Sequence, residues 1–504
     1  MFRSLILPAL LLASSTYAAS AKDWSTKSVY QLVTDRFATS NDSSTTCDTT
    51  KRTYCGGSWA GIANHLDYIQ SMGFDAVWIS PIVKNADATA YGDGYHGYWP
   101  LDNNRLSESF GTPADLKALS AALHARGMYL MLDVVINHYA GVPTHTSRAS
   151  LSVDLTFDFA SFQPLDSEMD FHPQCFITDY TNQTDVEQCW LGDSKLPLPD
   201  IDTEDPAIVA TINKWIKDTV TAYSIDGVRI DTVKHIRRDF WKGFAASAGV
   251  FALGEVLTDN ATYAASYLDV LDAVLDYPAW YDLNTAFAST SGNLSALESS
   301  PALTSLSSAP GALTAAFLEN HDQPRFPSYT SDGALKKNAM VWPFVGNGMP
   351  ILYYGQEQGY GGGADPWNRE ALWLSGFETN KPLVAHVRSL NAARKLAIAA
   401  NDSFLSGAAR WIPQSDPSTI MMSKPPLLTL LTNIGANATR QPTWTIPAGL
   451  YAANVTLVDV LACAPLVVGG AGEATVVRAT WGLPQVLIPA HLLNSRGGAC
   501  PALA

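Results

Sequence analysis

Eight short apolar or alternating runs recur along the chain, and most are separated by stretches with helical patterning. The runs are SVYQLVTDRF (28–37), DAVWIS (75–80), MYLMLDVVINH (128–138), GVRIDTV (227–233), VFALGEVL (250–257), VLDAVLDY (270–277), LTAAFLENH (313–321) and PILYYGQE (350–357). GIANHLDYIQSMG and PADLKALSAALHARG are amphipathic and end in Gly, and DPAIVATINKWIKDTVTAY follows acidic and proline start signals. Strands that alternate with helices pair in parallel, because a parallel connection needs a crossover. The pattern therefore predicts an α/β fold, a (β/α)8 TIM barrel, with a doubly wound sheet as the structural alternative.

Breaks in the alternation divide the chain. The segment 139–206 follows the third strand, holds two cysteines and several prolines, and has no period, so it reads as a small inserted domain. After residue 400 the helical patterning stops, and pieces such as PLLTLLTNI and VTLVDVLA alternate with Pro and Gly turns, which predicts a C-terminal all-β sandwich domain over 401–504. The catalytic barrel then takes residues 22–138 and 207–400. Residues 1–21 have a lone Arg3, an apolar run too short to span a bilayer and small residues at its end, the layout of a cleavable secretory signal. No later run is long and apolar enough for a membrane span, so a secreted, extracellular product is expected.

Six cysteines and seven N-x-S/T sequons, at Asn41, Asn182, Asn260, Asn293, Asn401, Asn437 and Asn454, suit the secretory route, with only some of the sequons expected to carry glycan. Sequence order favours bridges Cys47–Cys55, Cys175–Cys189 and Cys463–Cys500, although six cysteines allow about 15 connectivities; a zinc site is disfavoured because no C-x-x-C occurs. A net charge of −15 argues against nucleic acid or another polyanion as partner and leaves a neutral ligand or a bound cation.

The polar residues inside the strand-like runs collect at their C-terminal ends. Asp133, Asn137 and His138 come late in the third run, Arg229 and Asp231 close the fourth, Glu255 the fifth, and Asn320, His321 and Asp322 the seventh. In a barrel these ends converge on the face that carries active sites. One such acid reads as a structural ion pair. Three, from three strands, are costly to bury unless a reaction or a cation uses them. Glycoside hydrolysis uses two carboxylates, a nucleophile and an acid. Arg229 lies two residues from Asp231, on the same strand face, and predicts an ionised Asp231; the apolar approach to Glu255 predicts a raised, protonated acid. Asp322 would bind sugar hydroxyls, and His138 and His321 would hydrogen-bond them.

DVVINH (133–138), GVRIDTVKH (227–235), GEV (254–256) and FLENHD (317–322) resemble, in order and spacing, the four signature regions of the α-amylase superfamily. TDRF (34–37), CGGSWAGI (55–62), GDGYHGYW (92–99), VEQCWLGD (186–193), LPDID (198–202), YYGQEQ (353–358) and DPWNRE (365–370) are similar to segments of secreted fungal α-amylases. The resemblance implies retaining hydrolysis of internal α-1,4-glucosidic bonds in starch, glycogen or maltooligosaccharides by a monomer, with Asp231 as nucleophile, Glu255 as acid/base and Asp322 as transition-state stabiliser. It places Arg229, His138, His321, His96, Tyr98, Trp99, Asp365 and Arg369 around the sugar, Tyr98 as a stacking platform, and Lys234 and His235 on the leaving-group side. It also implies Ca2+, held by Asn137, Glu187, Asp200 and His235, with Glu187 and His235 offering backbone carbonyls. Arg52, Gly94, Pro100, Leu101, Gln323 and Trp367 depart from the fungal pattern. A 4-α-glucanotransferase of the same superfamily is the alternative, and a non-catalytic carbohydrate-binding homologue a more remote one.

Overall fold

The computed structural model describes residues 19–149, 152–299, 313–346, 348–401, 403–407, 409–479, 481–495 and 500. Most of the expected signal segment lies outside them. Eight parallel strands close into a barrel: β1 (Val29–Leu32), β2 (Ala76–Ile79), β3 (Tyr129–Val134), β4 (Gly227–Ile230), β5 (Phe251–Gly254), β6 (Ala273–Leu275), β7 (Leu313–Ala316) and β8 (Met349–Tyr353), each beside its neighbour in sequence, with β8 returning to β1. The doubly wound alternative is thereby excluded.

Alternation along each strand sorts the side chains. One set, including Val29, Ala76, Met131, Phe251, Ala273, Leu313 and Ile351, fills the barrel interior. The other, including Tyr30, Val77, Leu130, Val228, Ala252 and Val274, packs outward against the helices. The helix Pro206–Tyr223 shows how these are specified. Asp205 caps its first turn by accepting from the Ala207 N–H, Ser224 closes it with a left-handed φ of 51°, and Ile208, Ile212, Ile216 and Val220 form its buried stripe.

Three details differ from the sequence expectation. The strand-like runs overreach, because β4 and β5 end at Ile230 and Gly254; Asp231 and Glu255 stand one residue beyond the strands. Thr34–Phe37 is a helical turn and not the end of β1. The first helix candidate is interrupted at His65, giving Trp59–Asn64 and Leu66–Ser71.

Between β3 and the helix Pro206–Tyr223 the chain forms two small antiparallel ribbons, His145–Ala149 with Ser152–Thr156 and Leu191–Gly192 with Pro197–Leu198, and the helix Gln183–Gln188. This segment returns onto the barrel rim through Tyr139 N–H to Pro199 O and Ile201 N–H to Asn137 O. After the helix Pro382–Ala400 come a six-stranded antiparallel sheet and a two-stranded ribbon, Thr443–Ile446 with Thr475–Arg478, packed over a core that includes Trp444, Met421 and Leu487. Bridges Cys47–Cys55, Cys175–Cys189 and Cys463–Cys500 are formed as expected.

Candidate active site

At the C-terminal end of the barrel the interior changes from apolar to ionic. Arg229 faces Asp133 across the β3–β4 register, and both side chains are fully buried. The Arg229 guanidinium reaches three carboxylates: Nη1 lies 3.0 Å from Asp133 and 2.8 Å from Asp231, and Nη2 lies 3.1 Å from Glu255. A planar fork with donors on several edges suits this task, and a lysine would not.

Local backbone aims the two outer acids. Directly after Asp231, Thr232 takes a left-handed φ of 50°, which a β-branched residue rarely adopts. That turn points the Thr232 N–H at Glu255 Oε2, 3.0 Å away. Gly254 allows β5 to bring Glu255 in close, since a Cβ there would sit 2.5 Å from Leu271 Cδ1. Glu255 Oε1 also accepts from the Tyr277 hydroxyl at 3.3 Å, and Asn320 Nδ2 donates to that hydroxyl at 2.8 Å.

Asp231 and Glu255 share the Arg229 guanidinium and shift each other's proton affinity. Burial and the charge of Glu255 push Asp231 well above the usual carboxylate range. Burial acts in the same sense on Glu255, but Arg229 and the Thr232 N–H outweigh it and hold that carboxyl below its ordinary value. These directions are the reverse of those expected from sequence, an ionised Asp231 and a protonated Glu255. Arg229 touches both acids, so it does not by itself ionise Asp231 and leave Glu255 protonated. The two carboxyls titrate as a pair rather than singly.

Asp322 follows β7, its side chain 36% exposed to the cleft. It lies 3.3 Å from His321 Nε2 and 3.8 Å from Arg369 Nη2. The enclosure of the site and the charge of Glu255 push it up to about 7 despite that opening. Arg369 Nη1 pairs with Asp365 at 3.1 Å. His96, Tyr98 and His321 stand face to face, with Tyr98 and His321 centroids 4.7 Å apart at an interplanar angle of 5°. Tyr98 donates its hydroxyl to Asp133 at 2.7 Å. Burial pulls His96 and His321 well below their ordinary value and His138 down to about 4, so these rings are neutral hydrogen-bonding groups. Trp99 packs against Ala86, Ala140 and Leu196 and meets the His96 ring edge-on at a centroid distance of 4.4 Å. Lys234 donates to Leu257 O at 2.9 Å, and the buried His235 ring lies 3.2 Å from Val186 O.

The structure brings together nearly every residue that the sequence singled out and adds four as site residues. Asp133 takes Arg229, Tyr98 and the Trp78 indole N–H, and burial pushes it up to about 6 against the pull of Arg229. Trp78 and Tyr277 belong to the site through those hydrogen bonds, and Asn320 through Tyr277. Asp133 and Asn320 were visible as polar residues late in apolar runs; Trp78 and Tyr277 carried no signal distinguishable from core aromatics.

Asn137 and Asp200 meet where the inserted segment returns to the barrel. Asn137 Oδ1 and Asp200 Oδ1 are buried and accept no hydrogen bond, and the other Asp200 oxygen is held by His172 Nδ1 at 2.7 Å. Burial pushes Asp200 up to about 8 against the pull of His172. Two orphaned buried oxygens are what a hard cation would satisfy. The helix Gln183–Gln188, which carries Glu187, packs on the turn Val233–His235, and Gln183 Nε2 bridges Glu187 Oε1 at 2.7 Å and Lys234 O at 3.0 Å. The two side-chain donors, Asn137 and Asp200, therefore fit the group. His172, Asp202 and Glu204 form a second cluster of metal-ligating side chains beside it, which the sequence did not single out.

Residues 31–381 match the family model described as alpha amylase, catalytic domain, and residues 414–502 match alpha-amylase, domain C. The chain belongs to the α-amylase family. Among relatives of this α-amylase-family chain, Alpha-amylase 1 of Lipomyces kononenkoae is 46% identical over 405 residues, covering 80% of this chain and 64% of that protein. Alpha-amylase 1 of Schwanniomyces occidentalis is 40% identical over 485 residues, covering 95% and 92%. The structure of an α-amylase from Malbranchea cinnamomea superposes with a TM-score of 0.87 at 42% identity, over 95% of this chain and 99% of that one.

Proposed function

We propose that this α-amylase hydrolyses internal α-1,4-glucosidic bonds of starch, glycogen and maltooligosaccharides by double displacement. The observation that carries the reading is the convergence of three acids from three strand ends on one cleft, Asp231 and Glu255 on Arg229 and Asp322 beside Arg369. Asp231 and Glu255 bond to the two ends of one guanidinium, a close pairing that favours the short carboxyl separation of retaining enzymes, about 5–5.5 Å, over the about 6.5–9.5 Å of inverting ones.

Asp231 attacks the anomeric carbon while Glu255 gives its proton to the glycosidic oxygen, and the leaving chain departs with that proton. The step requires an ionised Asp231 and a protonated Glu255, the reverse of the resting preference, so the proton passes to Glu255 as the entering sugar separates the two acids. Glu255 then takes a proton from water as the water attacks the glycosyl ester, and Asp231 is released. Asp322, oriented by Arg369 and His321, binds the ring hydroxyls and favours its distorted form. His138, His96 and Tyr98 line the same sugar, and Lys234 and His235 meet the departing side.

The same reading assigns Ca2+ to Asn137, Asp200 and the backbone carbonyls of Glu187 and His235, where the ion would neutralise the buried carboxylate and tie the inserted segment to the barrel. It assigns secretion, which three disulfides support, a monomeric state, glycan on some sequons, and domain limits of 22–138 with 207–400, 139–206 and 401–504.

Time-resolved product analysis on maltoheptaose, with NMR of the new anomeric centre, tests the reading. Shorter α-anomeric products are expected. Predominant chain lengthening at low substrate would assign a glucanotransferase, and β-anomeric products would exclude double displacement.

A further inference from the structure

Among the departures from the family pattern, Arg52 stands out by its surroundings. It follows the turn Thr49–Lys51 inside the Cys47–Cys55 loop and has a left-handed φ of 51°. Its backbone is held by the neighbouring loop, the one after β2: Arg52 O accepts from the Asp93 N–H at 2.8 Å, and Gly92 packs so closely that a Cβ there would lie 2.4 Å from that oxygen. A non-glycine residue in this conformation is unfavourable, and here it is locked by the segment that leads on to His96 and Tyr98.

The side chain crosses to a third loop. Arg52 Nη1 lies 2.6 Å from Asp365 Oδ2, and Nη2 donates to Asp365 O at 3.4 Å. Asp365 is thus shared, since its other oxygen lies 3.1 Å from Arg369 Nη1. Arg369 in turn reaches Asp322 at 3.8 Å and donates through Nε to His321 O at 3.1 Å. A row of alternating charges, Arg52–Asp365–Arg369–Asp322, runs from the rim to the cleft. The loops after β7, β8 and β1 that carry it are consecutive in the barrel, whereas Lys234 and His235 follow β4 on the far side of the mouth. The row therefore lines the end of the cleft opposite the departing sugar. Arg52 and Asp365 remain about one-third exposed, 32% and 29%, so the pair is open to water and ions but not free of the loops that hold it.

We propose that Arg52 is a positioning residue for glucan binding: by taking one oxygen of Asp365 from the rim side it limits the hold of Asp365 on Arg369, lets Arg369 also reach Asp322, and so sets affinity for chains that extend past the cleaved bond at that end. Without Arg52, Asp365 has Arg369 as its one remaining cationic partner among the described residues and draws it away from Asp322. This rests on the amylase reading, because it requires a sugar bound against Asp365, Arg369 and Asp322.

The test is a double-mutant cycle on the full chain with maltoheptaose, using Arg52→Ala, Asp365→Asn, the pair together, and Arg52→Lys. Arg52→Ala is expected to raise KM about fivefold, the scale of a partly exposed ion pair, with a smaller change in kcat. The same substitution in Asp365→Asn is expected to change KM less than about twofold, and Arg52→Lys to recover most of the loss. An equal effect of Arg52→Ala with and without the Asp365 carboxylate, or an unchanged KM, overturns the proposal. If Arg52→Ala does not accumulate as folded protein, Arg52→Gln takes its place in the cycle with the same criteria. A wild-type chain that leaves maltoheptaose intact would instead sink the amylase reading.

Discussion

At the scale of single residues, Arg229 organises the site, and the acids around it differ in what they lose on substitution. Glu255→Gln keeps the shape and removes the proton, so kcat should fall about 10^3-fold or more on soluble starch, with the fold intact by circular dichroism. A rate within tenfold of wild type would show that another group supplies the proton. Asp133 makes a sharper case. It touches Arg229, Tyr98 and Trp78, and it is buried beneath the two acids. Asp133→Asn removes a competing carboxylate from the guanidinium, which should then bind Asp231 and Glu255 more tightly and raise the barrier to moving their proton. A fall in kcat of about ten- to a hundredfold with KM moved less is expected. Wild-type kcat would reduce Asp133 to packing.

At the scale of elements, strand ends and helix caps carry the chemistry, and one cap carries a measurable stability effect. Asp276 follows β6, accepts from the Ala279 N–H at 3.1 Å and begins the helix Tyr277–Phe287, whose first residue contacts Glu255. Burial pushes Asp276 from 3.8 up to about 7. The folded state therefore holds this proton more tightly than the unfolded one. The ionisation penalty is absent below about pH 3.8, grows as pH rises and is complete above about 7. Asp276→Asn keeps a good cap and removes the charge, so it should add on the order of 2–4 kcal/mol at pH 8 and almost nothing near pH 4. Urea midpoints at the two pH values check this; equal shifts at both would refute the buried charge as the cause.

At the scale of the whole molecule, two junctions hold the parts together. Asn137 and Asp200 join the inserted segment to the barrel with two unsatisfied oxygens. Chelation with EGTA should lower Tm by roughly 5 °C or more, and calcium should restore it. Asp200→Asn should abolish that response, and a Tm indifferent to both reagents would remove calcium from the account. The second junction is Asn338, buried in the helix Gly333–Val345. Its amide donates to Gly482 O at 2.9 Å and accepts from the Thr432 N–H at 2.8 Å, linking a barrel helix to the C-terminal sheet. Asn338→Ala strands both partners and should destabilise by roughly 2–3 kcal/mol in denaturant melts. A shift under about 0.5 kcal/mol would make the junction incidental.

The sequence by itself determined the barrel, the three acids and the three disulfides. Periodicity is a local property, the end of a strand is marked by where polarity returns, and neighbouring cysteines close short loops. It also carried Asp133 in plain view without revealing its role, because a buried aspartate in an apolar run looks the same whether or not an arginine from the next strand meets it. Only the tertiary structure decided how charge is divided. Arg229 bonds to Asp133, Asp231 and Glu255 at once, and the row from Arg52 to Asp322 joins residues 270 positions apart. A side chain's proton affinity depends on everything within a few ångströms of it, and sequence spacing gives no measure of that distance once the chain has closed into a barrel.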